Sequence, residues 1–289
     1  MKSPWVRWFI RLGVGVSFAL IGWFLWEHAN ELRAVDWRAM ALPIGLGLLL
    51  YGLALGVQGA VWIRLFTSLT GTVWNGEDVR IYFTTHLMRR LPGAPWYMAG
   101  RAAVYRERSP EMARAAWAVN LLEWSGLILS GLVWVAWGYW RWMGLISALV
   151  LLFGSVQLLR RWQPIARRMS LEHRPSSSLL YYALLAYEGQ WFLAALMLHL
   201  LLSALSPTRV PGFLETGTLW ATSGVVSNLA VFAPMGLGIR ELSLVAVLTP
   251  QVGLGCAALA ALLMRMLFTV GDLLWSVVAI GLILRFNTP

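Results

Sequence analysis

The run Pro234-Met235-Gly236-Leu237-Gly238-Ile239-Arg240-Glu241 puts a proline, two glycines and an adjacent cation and anion inside an otherwise apolar stretch, Thr218 to Leu248. In hydrocarbon each of those charges costs about 2.5–3.5 kcal/mol even on a lenient insertion scale, and the proline removes a backbone donor, so a lipid-facing helix is expected to break here. Broken backbone survives at membrane depth only where protein or a water-filled cavity satisfies its polar groups, which is where transporters hold their substrates. The chemistry available is anion recognition. Arg240 stays charged and its planar fork can take two oxygens of a phosphate. The backbone N–H groups of a helix starting at this point add to the positive field. Glu241 would then hold Arg240 or bind a cationic group, and an internal structural Arg-Glu pair is the plain alternative.

A second interrupted stretch, Ile81 to Gly100, holds His86, Arg89, Arg90 and Leu91-Pro92-Gly93-Ala94-Pro95 and is no simple span. Pro95 precedes Arg101 by six residues, as Pro234 precedes Arg240, and glycines stand close to both. Such a pair of breaks is what an inverted repeat leaves in a sequence, with Pro92, Gly93, Pro95, Pro234, Gly236 and Gly238 as the hinge positions. Arg89 and Arg90 either anchor at the interface or meet the ligand. Glu123 and Glu188 lie well inside apolar runs and should face the bundle, paired across helices with Arg265 or Arg240 as a structural network or serving as proton-coupled carboxylates. Arg265 and Asp272 share a helical face if their helix continues. Asn228, shortly before the second break, reads as helix-to-helix hydrogen bonding or as part of the ligand site.

These residues need a membrane to make sense. Of 289 residues 59% are hydrophobic and 12% charged, with 18 Trp, so residues 1–289 read as a single all-α transmembrane domain. The expected spans are Leu12–Trp26, about Ala41–Ile63, about Ala115–Trp137, Met143–Leu159, Leu179–Leu202, Leu254–Phe268 and Leu273–Phe286, besides the two broken or re-entrant segments. The repeat halves would be about 41–160 and 179–286. A net charge of +10 does not imply nucleic acid, because the arginines lie between apolar runs. They concentrate in an amphipathic basic stretch from Arg101 to Arg114 and in a loop from Arg160 to Arg174. The positive-inside rule then makes those loops and the N-terminus cytoplasmic, and Ile81–Gly100 must enter and leave on that side. Trp5, Trp8, Trp26, Trp37, Trp140 and Trp142 fit interfacial belts. One cysteine, Cys256, and four scattered histidines offer no disulfide and no metal-ligand spacing, so no metal and no cofactor are expected.

Leu91-Pro92-Gly93 before a basic helix, Glu107-Arg108 after it, and the Pro234–Glu241 run resemble the membrane domain of the lysylphosphatidylglycerol synthases, the flippase-like domain family, over nearly the whole chain. The resemblance implies a polytopic inner-membrane protein that translocates a modified or anionic phospholipid, or a lipid-linked headgroup. It implies no lysyl transfer, since no transferase domain follows Pro289 in this sequence. No nucleophile or acid-base constellation argues for an enzyme. The rival reading is a non-transporting membrane partner of a lipid-modifying or glycosyl-transferring enzyme.

Overall fold

The computed structural model describes residues 35–87, 95–140, 175–229 and 236–286, with Trp26, Arg33, Phe153, Gly154, Gln157 and His173 besides. All elements among them are helices: α1 Trp37–Thr70, α2 Gly76–His86, α3 Pro95–Arg106, α4 Pro110–Tyr139, α5 Ser177–Leu205, α6 Phe213–Leu229, α7 Gly236–Val252 and α8 Leu254–Phe286. Apart from Trp26, Phe153, Gly154, Gln157 and His173, the expected spans Leu12–Trp26 and Met143–Leu159 and the loop Arg160–Arg174 lie outside the described residues, as do Arg89, Arg90, Pro92, Gly93 and Pro234.

Local chemistry starts and stops these helices. The Asp36 side chain accepts from Arg38 N at 3.0 Å and Ala39 N at 3.3 Å to cap α1. Asn75 and Asp78 form a reciprocal capping box on α2, and Ser109 with Pro110 opens α4. Gly71, with φ 67°, closes α1, and Gly253, with φ 83°, turns α7 directly into α8; a side chain at either position would be strained. Helices α1, α4, α5 and the Leu254–Gly281 part of α8 are long and apolar enough to cross a membrane. Leu42, Leu49, Leu53, Leu185, Phe192 and Val277 lie exposed along them, as lipid-facing residues would.

Helix directions follow from which residues meet. The face on which α1 ends is the first face here. Tyr105 Oη, near the end of α3, donates to Asp78 Oδ1 at 3.0 Å, and Arg108 pairs with Glu77 at 2.6 Å and with Asp78 at 3.1 Å. The hairpin α2–α3 therefore has both open ends latched on the first face, and burial together with the Asp78 carboxylate pushes the Tyr105 phenol well above its ordinary range. His173 lies against Gly71, so α5 also starts on the first face. Gly138 meets Thr218 and Gly131 meets Val225, so α6 runs antiparallel to α4 and begins on the opposite, second face. Ser243 Oγ donates to Ser223 O at 3.3 Å across the antiparallel pair α6–α7, whose open ends are on the second face. Leu267 meets Gly47 and Tyr51 Oη donates to Asp272, so α8 runs parallel to α1.

The packing scheme has a counterpart for each contact. Helix α1 packs on α5; α3 packs on α4 as α7 does on α8; α6 packs on α4 as α2 does on α8; α1 packs on α8 as α5 does on α4; α1 packs on α4 as α8 does on α5.

Three expectations need correction. Leu254–Phe286 is one helix rather than two, because Arg265 and Asp272 find partners on neighbouring helices and so do not interrupt it. The stretch Arg101–Arg114 is no single amphipathic element: Arg101 and Arg106 belong to α3, Arg114 to α4, and a short turn separates them. Helix α1 extends well beyond Ala41–Ile63 at both ends.

Two consequences are measurable. A methyl group at Gly131 would stand 2.6 Å from Val225 Cγ2 and 2.8 Å from the Trp191 ring, so Gly131→Ala should lower stability by about 1–3 kcal/mol. Gly56→Ala, with nothing within 4 Å, should not, and thermal midpoints compare the two. At the latch, the hydrogen bond from Arg108 holds the Glu77 carboxyl below the usual carboxylate range. A depressed folded value means stability that is present above the unfolded value and lost as pH falls through the folded one. Glu77→Gln should therefore melt lower than the parent at pH 7, and the gap should narrow as pH falls below the ordinary carboxylate value of about 4.3.

Candidate functional site

A cavity of about 110 Å³ lies where α1 and α5 meet, walled by both halves of the chain. At roughly 30 Å³ per water it has room for a few waters. Its polar lining comprises Tyr51 and Gln58 from α1, Gln190 and Trp191 from α5, Asn228 from α6 and Arg240 from α7. Gln190 Nε2 is buried and has no hydrogen-bond partner among the described residues, so the wall presents an uncommitted donor. The Trp191 indole is committed, donating to Leu127 O at 3.0 Å.

Arg240 lies four residues into α7, past the glycines Gly236 and Gly238 of its first turn. Its guanidinium stands 4.3 Å from the Trp220 ring of α6 and 5.3 Å from the Phe268 ring of α8. Aromatic faces stabilise a guanidinium by about 0.5–2 kcal/mol without neutralising its charge. Neighbours on a helix point about 100° apart, and Glu241 is turned toward α8, where it accepts from Arg265 Nη1 at 2.6 Å. Arg240, Glu241 and Arg265 together line a second hollow of about 30 Å³ beside the first.

Arg101, the counterpart on α3, is fully buried in a cage of α1, α2 and α4. The guanidinium is 4.6 Å from the Trp62 ring and 4.3 Å from the Tyr82 ring; Nε donates to Thr85 Oγ1 at 3.0 Å and Nη1 to Asn120 Oδ1 at 3.0 Å. Glu123 lies 3.5 Å from it and also accepts from Gln58, which connects the cage to the cavity wall. Arg101 is thus the cation of Glu123, in place of the expected Arg265 or Arg240. Glu188, expected to take one of the same arginines, stands outside the cavity lining, its Oε1 buried without a hydrogen-bond partner among the described residues. Asp272 does not share partners with Arg265: it accepts from Tyr51 and lies 3.5 Å from His86 Nε2. No cluster able to hold a metal occurs among the described residues.

The structure brings Arg240 and Asn228 together in one cavity, Glu241 and Arg265 beside them, and Arg101 with Glu123 in a separate cage. Sequence reasoning missed Gln58, Gln190 and Tyr51. The available signal was an amide within an apolar run, as in Leu55-Gly56-Val57-Gln58-Gly59. No protein-family model matches the chain and no curated protein matches its sequence.

Proposed function

We propose that the chain is a lipid transporter that carries the phosphate of an anionic phospholipid, or of a lipid-linked headgroup, across the membrane, with Arg240 as the residue that meets it. The observation that carries the reading is the position of Arg240, a cation on the arm of an interrupted helix pair, lining a cavity of mixed polar and apolar wall between the two halves of the bundle. A phosphate is as costly in hydrocarbon as any other ion, so its path needs a hydrated station with a fixed positive charge. The cavity has the size of that station; the acyl chains would remain in lipid.

The arrangement of helices supports transport over mere anchorage. Helices α1–α4 and α5–α8 act as an inverted repeat: each half is a long helix, a hairpin and a long helix, the matching contacts recur, and the hairpins open on opposite faces. At 11 and 12 residues α2 and α3 are about 16–18 Å long, near half of the ~30 Å hydrocarbon thickness, which suits a re-entrant pair. Exposed Arg64, Arg80, Arg106 and Arg108 on the first face, against Arg38 and Arg209 on the second and Arg33 just before α1, favour a cytoplasmic first face in an inner membrane. The motif residues shared with the flippase-like domain family point the same way.

Proteoliposomes containing fluorescent phosphatidylglycerol, bleached from outside by an impermeant reductant, test this. Bleaching should exceed half of the dye in protein-containing vesicles and stop at half in empty ones. Wild-type protein that neither moves nor binds phosphatidylglycerol or a lipid-linked sugar would defeat the reading and favour a partner subunit of a lipid-modifying enzyme.

A further inference from the structure

Arg101 and Arg240 occupy corresponding places in the two halves, yet one is closed off and the other lines the cavity. Each stands six residues after the proline of its break, Pro95 or Pro234. Each guanidinium lies 4.3 Å over an aromatic ring from the facing arm of its own hairpin, Tyr82 for Arg101 and Trp220 for Arg240. Those rings precede their arginines by nearly the same interval, from 82 to 101 and from 220 to 240. The environments diverge on the third side. Beside Arg101, helix α4 brings the Glu123 carboxylate to 3.5 Å, whereas beside Arg240, helix α8 brings the apolar ring of Phe268 to 5.3 Å.

We propose that the Arg101 cage is a second anion site of the same chemistry, occupied in this structure by the protein's own carboxylate, Glu123. Two details fit an internal stand-in better than a permanent ion pair. Arg101 Nη2 and Glu123 Oε2 are both buried without a hydrogen-bond partner among the described residues, so the pair leaves a donor and an acceptor idle. With Nε held by Thr85 and Nη1 by Asn120, a phosphate oxygen in place of the carboxylate would engage Nη2, the nitrogen that Glu123 leaves idle. Glu123 also has another place to go, since Gln58 holds it from the cavity side. The ligand class is a phosphate monoanion, from a lipid headgroup or as the free ion. In the transport cycle, which rests on the reading above, the two arginines would hold the phosphate in turn, each from the hairpin of its own face.

Calorimetric titration of the full chain in nanodiscs, with inorganic phosphate in one arm and short-chain phosphatidylglycerol in the other, decides the matter. Arg240→Ala should weaken binding at least about tenfold, and Arg240→Ala with Glu123→Gln should recover most of that loss, because the amide keeps the Gln58 contact but no longer neutralises Arg101. Adding Arg101→Gln should abolish binding again. Recovery with phosphate alone assigns the second site to the free ion; recovery only with the lipid assigns it to the headgroup. If the wild type binds but Glu123→Gln restores nothing in a folded double variant, the second site is refuted and the Arg240 reading stands. If the wild type does not bind, the Arg240 reading fails, and Glu123→Gln alone still decides: binding that needs Arg101 supports the second site, and its absence overturns it.

Discussion

Arg240→Ala is expected to cut lipid translocation roughly ten- to a hundredfold while folded yield stays within a factor of about two. One hydrogen bond between charged partners is worth about 1.5–3 kcal/mol, which sets the first figure. The second rests on the rings of Trp220 and Phe268 among its contacts, worth about 0.5–2 kcal/mol, which a neutral protein wall can partly replace. Arg240→Lys keeps the charge and loses the fork, so its rate should fall between the two. Arg209→Ala, on an exposed loop, should change neither quantity. The neighbouring pair behaves differently. Glu241→Ala strips Arg265 of its 2.6 Å partner in a partly enclosed place, so yield should fall with activity. Exchanging the two, Glu241→Arg with Arg265→Glu, should restore the fold. A reconstituted Arg240→Ala protein that bleaches at the parental rate would remove Arg240 from the path.

The long helices could be read directly, because α1, α4 and α5 are apolar runs that only a membrane or a large core can hold. Of the expected break residues, Pro95 opens α3 and Gly236 and Gly238 lie in the first turn of α7, whereas Pro92, Gly93 and Pro234 lie outside the described residues. What could not be read was who answers each charge. Arg265 and Asp272 looked like interruptions of the last helix; they are tolerated because Glu241 comes from α7 and Tyr51 from α1, partners 24 and 221 residues away. The Arg240-Glu241 adjacency gave no sign that Arg265 of α8 would be a partner of Glu241. Gln58 reaches Glu123 across 65 residues, and nothing in its own neighbourhood announces that. Periodicity places a residue on a face; only the crossing of helices decides what faces it.

The largest effect on stability is expected at the Arg101 cage. Arg101→Met removes the cation and leaves Glu123 buried, 1% exposed, with Gln58 as its remaining partner, and should cost about 3–5 kcal/mol. Asn120 also loses one of the two donors its carboxamide oxygen serves, Arg101 at 3.0 Å, keeping Trp62 Nε1 at 2.9 Å. Glu123→Leu alone should be nearly as harmful, because it leaves a fully buried guanidinium without its carboxylate. The double variant, Arg101→Met with Glu123→Leu, is a different case: no charge is buried, the methionine can lie between Trp62 and Tyr82, and the desolvation cost of both ions disappears. Replacing such a pair by apolar residues of similar size is often neutral or stabilising. Denaturant or thermal unfolding in detergent should therefore find each single variant well below the parent and the double variant close to it. Transport should not recover with the fold, because a cage without Arg101 has nothing with which to hold a phosphate. A double variant that is both stable and fully active would show the pair to be scaffolding.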